Sequence, residues 1–130
     1  MFRYNAKDCS ITVDDIFITG VGEDMASGEK DEENFSTSVG AQGDVCMSEI
    51  NNPLGTVTIT VQACSPSVRY LKQLANSGKV VSVWVTNKSK GSRYGGSQAR
   101  IKKVPSEADG AEPEDLEFEF QVFDYVDEEA

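Results

Sequence analysis

The residues able to do chemistry in this 130-residue chain are its acids, three cysteines and a few glycine-rich turns; histidine is absent. Histidine is the commonest general base for a serine or cysteine nucleophile and the commonest metal ligand, so its absence weighs against both. Cys9, Cys46 and Cys64 are odd in number and far apart, which fits neither a disulfide framework nor a zinc site. They read as small reduced structural residues. Gly20-Val21-Gly22-Glu23-Asp24-Met25 lacks the third glycine of a dinucleotide loop and opens no helix, and Gly91-Ser92-Arg93-Tyr94-Gly95-Gly96 lacks the Gly-Lys-Ser/Thr of a P-loop. Glu107, Asp109, Glu112 and Asp115 offer oxygen ligands, but their spacing follows no calcium-loop signature, and a solvated loop is expected. Asn34-Phe35-Ser36 and Asn87-Lys88-Ser89 are sequons that matter only in a secreted chain. Residues Met1 to Ser10 lack an apolar signal core, so use without export is expected. No catalytic residue, metal ligand or cofactor site is expected, and the chain is read as non-enzymatic.

The elements that would position these residues are mostly strands. Cys9–Val13 alternates apolar and polar, Asp14-Asp15 breaks it, and Ile16–Thr19 resumes, which predicts a hairpin. Met25–Asp31 is a weaker strand that Glu33-Asn34 can turn into Phe35–Val39. Asp44–Ile50 is extended and polar. Gly55–Ala63 is the strongest strand, with Val57, Ile59, Val61 and Ala63 on one face and Thr56, Thr58, Thr60 and Gln62 on the other. One helix is predicted over Pro66–Asn76: Ser65 can cap it, Pro66 suits its first turn, Val68, Leu71, Leu74 and Ala75 recur at helical spacing, and Gly78 follows. Val80–Thr86 reads as a strand, Asn87–Gly96 as a basic loop, and Gln98–Val104 as a short strand. In the last strand Leu116, Phe118, Phe120 and Val122 oppose Glu117, Glu119 and Gln121. Residues 127–130 are expected to fray. The whole, 1–130, is expected to be one domain: mainly β, two packed antiparallel sheets forming a sandwich or barrel, with one flanking α-helix.

The charge is unevenly placed. Twenty-two acids against 12 bases leave a formal net charge of −10, which argues against binding nucleic acid or anionic membranes. Every Lys and Arg lies at or before Lys103, and Glu107–Glu129 holds acids alone. Acids also dominate Glu23–Glu49, where Lys30 is the only base. Separate acidic and basic surfaces on one small domain suit self-association.

Several segments, in order, resemble the contractile tail tube family of phages and of defective-phage tailocins. They are Tyr4-Asn5-Ala6-Lys7-Asp8 through Ile18-Thr19-Gly20; Glu29-Lys30-Asp31-Glu32 with Phe35; Val39-Gly40-Ala41-Gln42-Gly43-Asp44-Val45; Asn51-Asn52-Pro53-Leu54-Gly55-Thr56-Val57-Thr58-Ile59-Thr60-Val61-Gln62; and Ser65-Pro66-Ser67 with Tyr70-Leu71 and Leu74-Ala75. The resemblance implies a structural subunit of a virion or tailocin tail, assembled in the bacterial host cytoplasm. Six copies would form a ring, and rings would stack into a tube inside a sheath. The implied partners are sister copies, the tail sheath protein, the tape-measure protein, and baseplate and tail terminator proteins. DNA would pass without specific binding, or the tube would only puncture a membrane. No catalytic residues carry over.

The residues fit that implication. Half-polar strands suit a wall between a wet channel and a dry core, and ring closure would occupy the exposed sheet edges. Strand Gly55–Ala63 and a hairpin over Met25–Val39 are expected to line the channel, with the helix on the outer side. Glu29, Asp31 and Glu33 alternate and are the candidate lumen-facing acids. Lys88, Lys90 and Arg93 are the candidate inter-ring or inter-subunit contacts. The rival reading is an acidic β-sandwich that binds calcium or another ligand such as carbohydrate; the scarcity of aromatic pairs counts against it.

Overall fold

The computed structural model describes residues 9–19, 21–88, 91–105 and 114–129. It is mainly β, with two antiparallel sheets and one helix. In chain order the elements are β1 (Cys9–Val13), β2 (Ile16–Phe17), β3 (Val21–Lys30), β4 (Phe35–Val39), β5 (Val45–Glu49), β6 (Gly55–Val61), α1 (Ser67–Ser77), β7 (Val81–Asn87), β8 (Ser92–Ile101), β9 (Leu116–Val122) and β10 (Val126–Glu129). The large sheet runs β2-β1-β7-β8-β9-β6-β3, with β10 also on β8, while among the described residues β4 and β5 pair only with each other.

Strand β8 joins two leaves. Its first half, Ser92–Gly95, pairs with β10 on one side and β7 on the other; its end, Ala99–Ile101, pairs with β9. One leaf is therefore β2-β1-β7-β8-β10 and the other β8-β9-β6-β3. Strands that switch sheets at a bend are how sandwich corners are built. The bend falls on Gly95-Gly96, next to a register shift against β7. Gly95 has φ +137°, and a Cβ there would lie 2.0 Å from the Val83 carbonyl oxygen, so only glycine fits. Asp124 clamps the same corner: its carboxylate accepts the backbone N–H groups of Ser97 (3.3 Å) and Gln98 (3.0 Å) and the Ser97 hydroxyl.

The alternation seen in sequence becomes burial. Val57, Ile59 and Val61 of β6, Val81, Val83 and Val85 of β7, and Leu116, Phe118, Phe120 and Val122 of β9 point inward and join Ile11 and Val13 in one core. Helix α1 adds Leu71 and Leu74. Ser65 behaves as a cap in all but position: Pro66 is already helical, and the Ser65 hydroxyl accepts the Ser67 N–H at 3.2 Å while donating to the Thr19 carbonyl. Gly78, in the left-handed region, ends the helix by donating to the Leu74 carbonyl. The predicted first hairpin is present, with Asp14 and Asp15 both at positive φ, as a two-residue turn of the I′ class demands.

Four expectations are corrected. The Met25–Val39 hairpin does not form: β3 pairs with β6 (Glu29 opposite Thr56, Lys30 opposite Gly55), and β4 turns back onto β5 instead. The strand expected to reach Ala63 ends at Val61, where a turn closes with the Ser65 N–H on the Gln62 carbonyl. The basic loop expected over Asn87–Gly96 is shorter, because β8 begins at Ser92. The tail expected to fray over 127–130 is a strand as far as Glu129, held on Ser92–Gly95 of β8; Ala130 lies outside the described residues.

Candidate functional site

Paired residues of an antiparallel ladder share a face, so register fixes what the outer surface of β3-β6-β9-β8 carries. One row reads Glu29, Thr56, Gln121, Arg100; the next reads Ser27, Thr58, Glu119 and then Lys102, just past the end of β8; a third holds Thr60 and Glu117. The Lys102 N–H bonds the Glu119 carbonyl, and its ammonium lies 3.9 Å from the Glu119 carboxylate. This face has hydroxyls along its middle strand and carboxylates on either side. The buried apolar residues of these strands occupy its reverse.

Asp31 ties the upper end of this face together. Its carboxylate accepts the Thr56 hydroxyl at 2.8 Å and the Gln121 amide at 3.0 Å, and the same amide reaches the Gly55 carbonyl at 3.0 Å. The Gln121 and Thr56 hydrogen bonds hold the Asp31 carboxyl below the ordinary carboxylate range, against partial desolvation and with help from the Lys102 charge. On the reverse, Tyr125 packs against Gly55 and reaches over Gly28, where Tyr94 also lies. Burial, then the charges of Asp127 and Glu29, push the Tyr125 phenol up.

The three candidate lumen acids are all exposed, but they do not alternate along one strand. Glu29 lies in β3, Asp31 follows its end at Lys30, and Glu33 lies in the loop before β4. Glu29 and Asp31 adjoin the polar face. Glu117 and Glu119 are further acids on it, outside the three expected lumen acids, although their alternation with Leu116 and Phe118 marks them. Of the candidate basic contacts, Lys88 is exposed in a turn and Lys90 lies outside the described residues. Arg93 is engaged within the subunit: it pairs with Glu128 of β10, and its guanidinium sits 4.1 Å from the centre of the Trp84 ring. Of the proposed calcium ligands, Glu107, Asp109 and Glu112 lie outside the described residues and Asp115 is exposed. Among the described residues no group of three metal-ligating side chains converges.

A second surface is the β4–β5 ribbon. Every one of its ten strand residues is exposed. Phe35, Thr37, Val39, Val45, Met47 and Glu49 share one face and Ser36, Ser38, Cys46 and Ser48 the other. Phe35 is 48% exposed, Val39 69%, Val45 68% and Met47 60%, an apolar stripe left open among the described residues. An isolated two-stranded hairpin is marginal in water, so this ribbon needs a covering surface.

No curated protein matches the chain. Three solved structures share its fold at low identity. The PVC sheath/tube terminator of an extracellular contractile injection system, in the extended state, has a TM-score of 0.74 at 11% identity, over 98% of both chains. The PVC sheath-tube complex in the extended state gives 0.70 at 10% identity, over 99% of this chain and 93% of that one. The anti-feeding prophage cap, a tube terminating cap, gives 0.67 at 13% identity, over 100% of this chain and 93% of that one. A family model described as the bacteriophage PhiTE tail tube protein matches residues 8–128, and the chain belongs to that tail tube family.

Proposed function

We propose that this chain is the structural subunit of the inner tube of a contractile tail, acting by polymerisation and not by catalysis. Six copies close into a ring and rings stack into a hollow tube, with the outer face of β3-β6-β9 lining the bore. The observation that carries the reading is the construction of the β8-β9-β6-β3 leaf: a polar face, an apolar reverse and, among the described residues, a free edge along β3 and at the end of β8 past Ala99. Open edges are association sites, and a closed ring of copies satisfies them.

A bore lined by Thr56, Thr58, Thr60, Glu29, Glu117 and Glu119, with Arg100 and Lys102 held among these carboxylates, offers DNA little counterion-releasing grip, while DNA carries one charge per ~1.7 Å of axis. Repulsion from the wall is screened within about 8 Å at physiological salt, so DNA slides without sticking. The same bore serves a tube that only punctures a membrane. The exposed β4–β5 ribbon, with Lys88 and Lys90, is assigned to contacts with the adjacent ring; Arg93 serves the subunit's own fold. A surrounding sheath, a tape-measure protein, a baseplate and a tail terminator complete the particle, which is a virion tail or tailocin assembled in the bacterial cytoplasm. The structures of a sheath-tube complex and of tube terminators on this fold support the first and last of these partners. Negative-stain microscopy of the purified protein tests the reading: rings or hollow tubes are expected, and monodisperse monomers at every concentration contradict it.

A further inference from the structure

The two margins of the β8-β9-β6-β3 leaf differ in charge as well as in strand. At one margin is β3, with no strand on its far side among the described residues, carrying Glu29 in its exposed outer row and leading into Asp31. At the other is the end of β8. Its pairing with β7 stops at Ala99 opposite Val81, so from Arg100 onward it has, among the described residues, a strand on the β9 side only. This margin carries Arg100 and Lys102, both exposed. Glu29 and Arg100 close opposite ends of the same row, Glu29-Thr56-Gln121-Arg100.

We infer that copies join head to tail along these two margins, with Glu29 of one copy paired to Arg100 of the next across the polar face and Lys102, which lies 3.9 Å from its own Glu119, adding positive charge to that margin. The inference rests on the ring reading above and adds to it the edges and the charges that select them. Three features of the leaf support it. Strand directions alternate through β3, β6, β9 and β8, so a β3 placed beside a neighbour's β8 is again antiparallel, and the alternation continues through any number of copies. With no stagger, Glu29 lies beside Arg100. A two-residue stagger, which keeps every side chain on its own face, sets Lys102 beside Glu29 and Arg100 beside Asp31. Opposite charges therefore meet in both registers.

The other leaf makes the choice selective. Its margins are β2, two residues long, and β10, four residues of which three are acids. A strand of two residues offers little backbone to pair with, and a run of acids discourages pairing. The leaf with unlike margins is the one whose two edges attract each other.

Three proteins test the inference under reducing conditions: wild type, E29K, and R100E/K102E. Circular dichroism and thermal melts verify that each folds, as expected for exposed side chains. Each variant has two margins of like charge. Alone, each is expected to lose about tenfold or more of its sedimentable rings and tubes at low ionic strength, because like charges at an interface suppress pairing. Mixed in equal amounts, the two are expected to recover assembly, since each supplies the charge the other lacks. High salt is expected to narrow the difference between wild type and variants. Assembly equal in all three proteins overturns the charge pairing and leaves edge joining intact. Failure of the mixture to recover likewise overturns the pairing. A wild type that stays monomeric throughout overturns both this inference and the ring reading.

Discussion

At the scale of single residues, two carboxylates do structural work that their sequence neighbourhoods do not announce. Asp124 holds the corner where β8 changes leaf. Burial acts to raise its pKa, but the hydrogen bonds from the Ser97 hydroxyl and from the Gln98 and Ser97 backbone outweigh it and the net shift is downward. D124A leaves those donors without their acceptor and is expected to cost roughly 1–3 kcal/mol, measured by urea denaturation. Because the folded pKa is depressed, this stabilisation is present above the ordinary carboxylate range and is lost as pH falls through the folded value. The gap between wild type and D124A should therefore be full at neutral pH and shrink below about pH 4. Asp31, whose pKa is lowered chiefly by Gln121 and Thr56, follows the same sign. It is more exposed, so D31A is expected to cost under ~1 kcal/mol and to show more in assembly than in melting. Glu117 and Glu119 were legible as the solvent side of an alternating strand. Asp31 and Asp124 were not, because their partners lie 25 to 90 positions away.

At the scale of elements, period-2 alternation marked β6 and β9, with β6 ending at Val61 and not at Ala63, and cap chemistry marked α1 to within a residue. F120A, in the middle of β9 and fully buried, is expected to cost about 3–5 kcal/mol by thermal melting. What local signals could not supply was pairing. Glu33-Asn34 reads as a turn back onto β3, yet β3 is claimed by β6, whose apolar face sets Ile59 opposite Ala26 and leaves room at Gly28 for Tyr94 and Tyr125. Gly95-Gly96 reads as loop; it is a bend inside a strand, and isolated glycines are equally at home in both. Asp127-Glu128-Glu129 has no apolar alternation, so its strand depends on Arg93 and on the anchoring of Tyr125 rather than on its own composition. The β4–β5 ribbon supplies no residue to the core. Replacing 35–49 by a short Gly/Ser linker should leave the melting temperature of the monomer nearly unchanged and abolish stacking into tubes; a large fall in melting temperature would mean that the ribbon belongs to the subunit's own fold.

At the scale of the whole molecule, one small sandwich divides its labour between leaves. One leaf has margins that are short or acidic. The other has open margins of opposite charge, a polar face and a dry reverse. A leaf of that kind suits the wall proposed above, and the tail tube family match agrees with that proposal. The measurement that bears most directly on this account is a cryo-EM reconstruction of the assembled protein at side-chain resolution. The account predicts Glu29, Thr58, Glu117 and Glu119 on the bore, with β3 of each copy beside the end of its neighbour's β8. A bore lined instead by the outer face of the other leaf, with Thr12, Trp84 and Arg93 toward the channel and Glu29 and Glu119 on the outside of the tube, would contradict it.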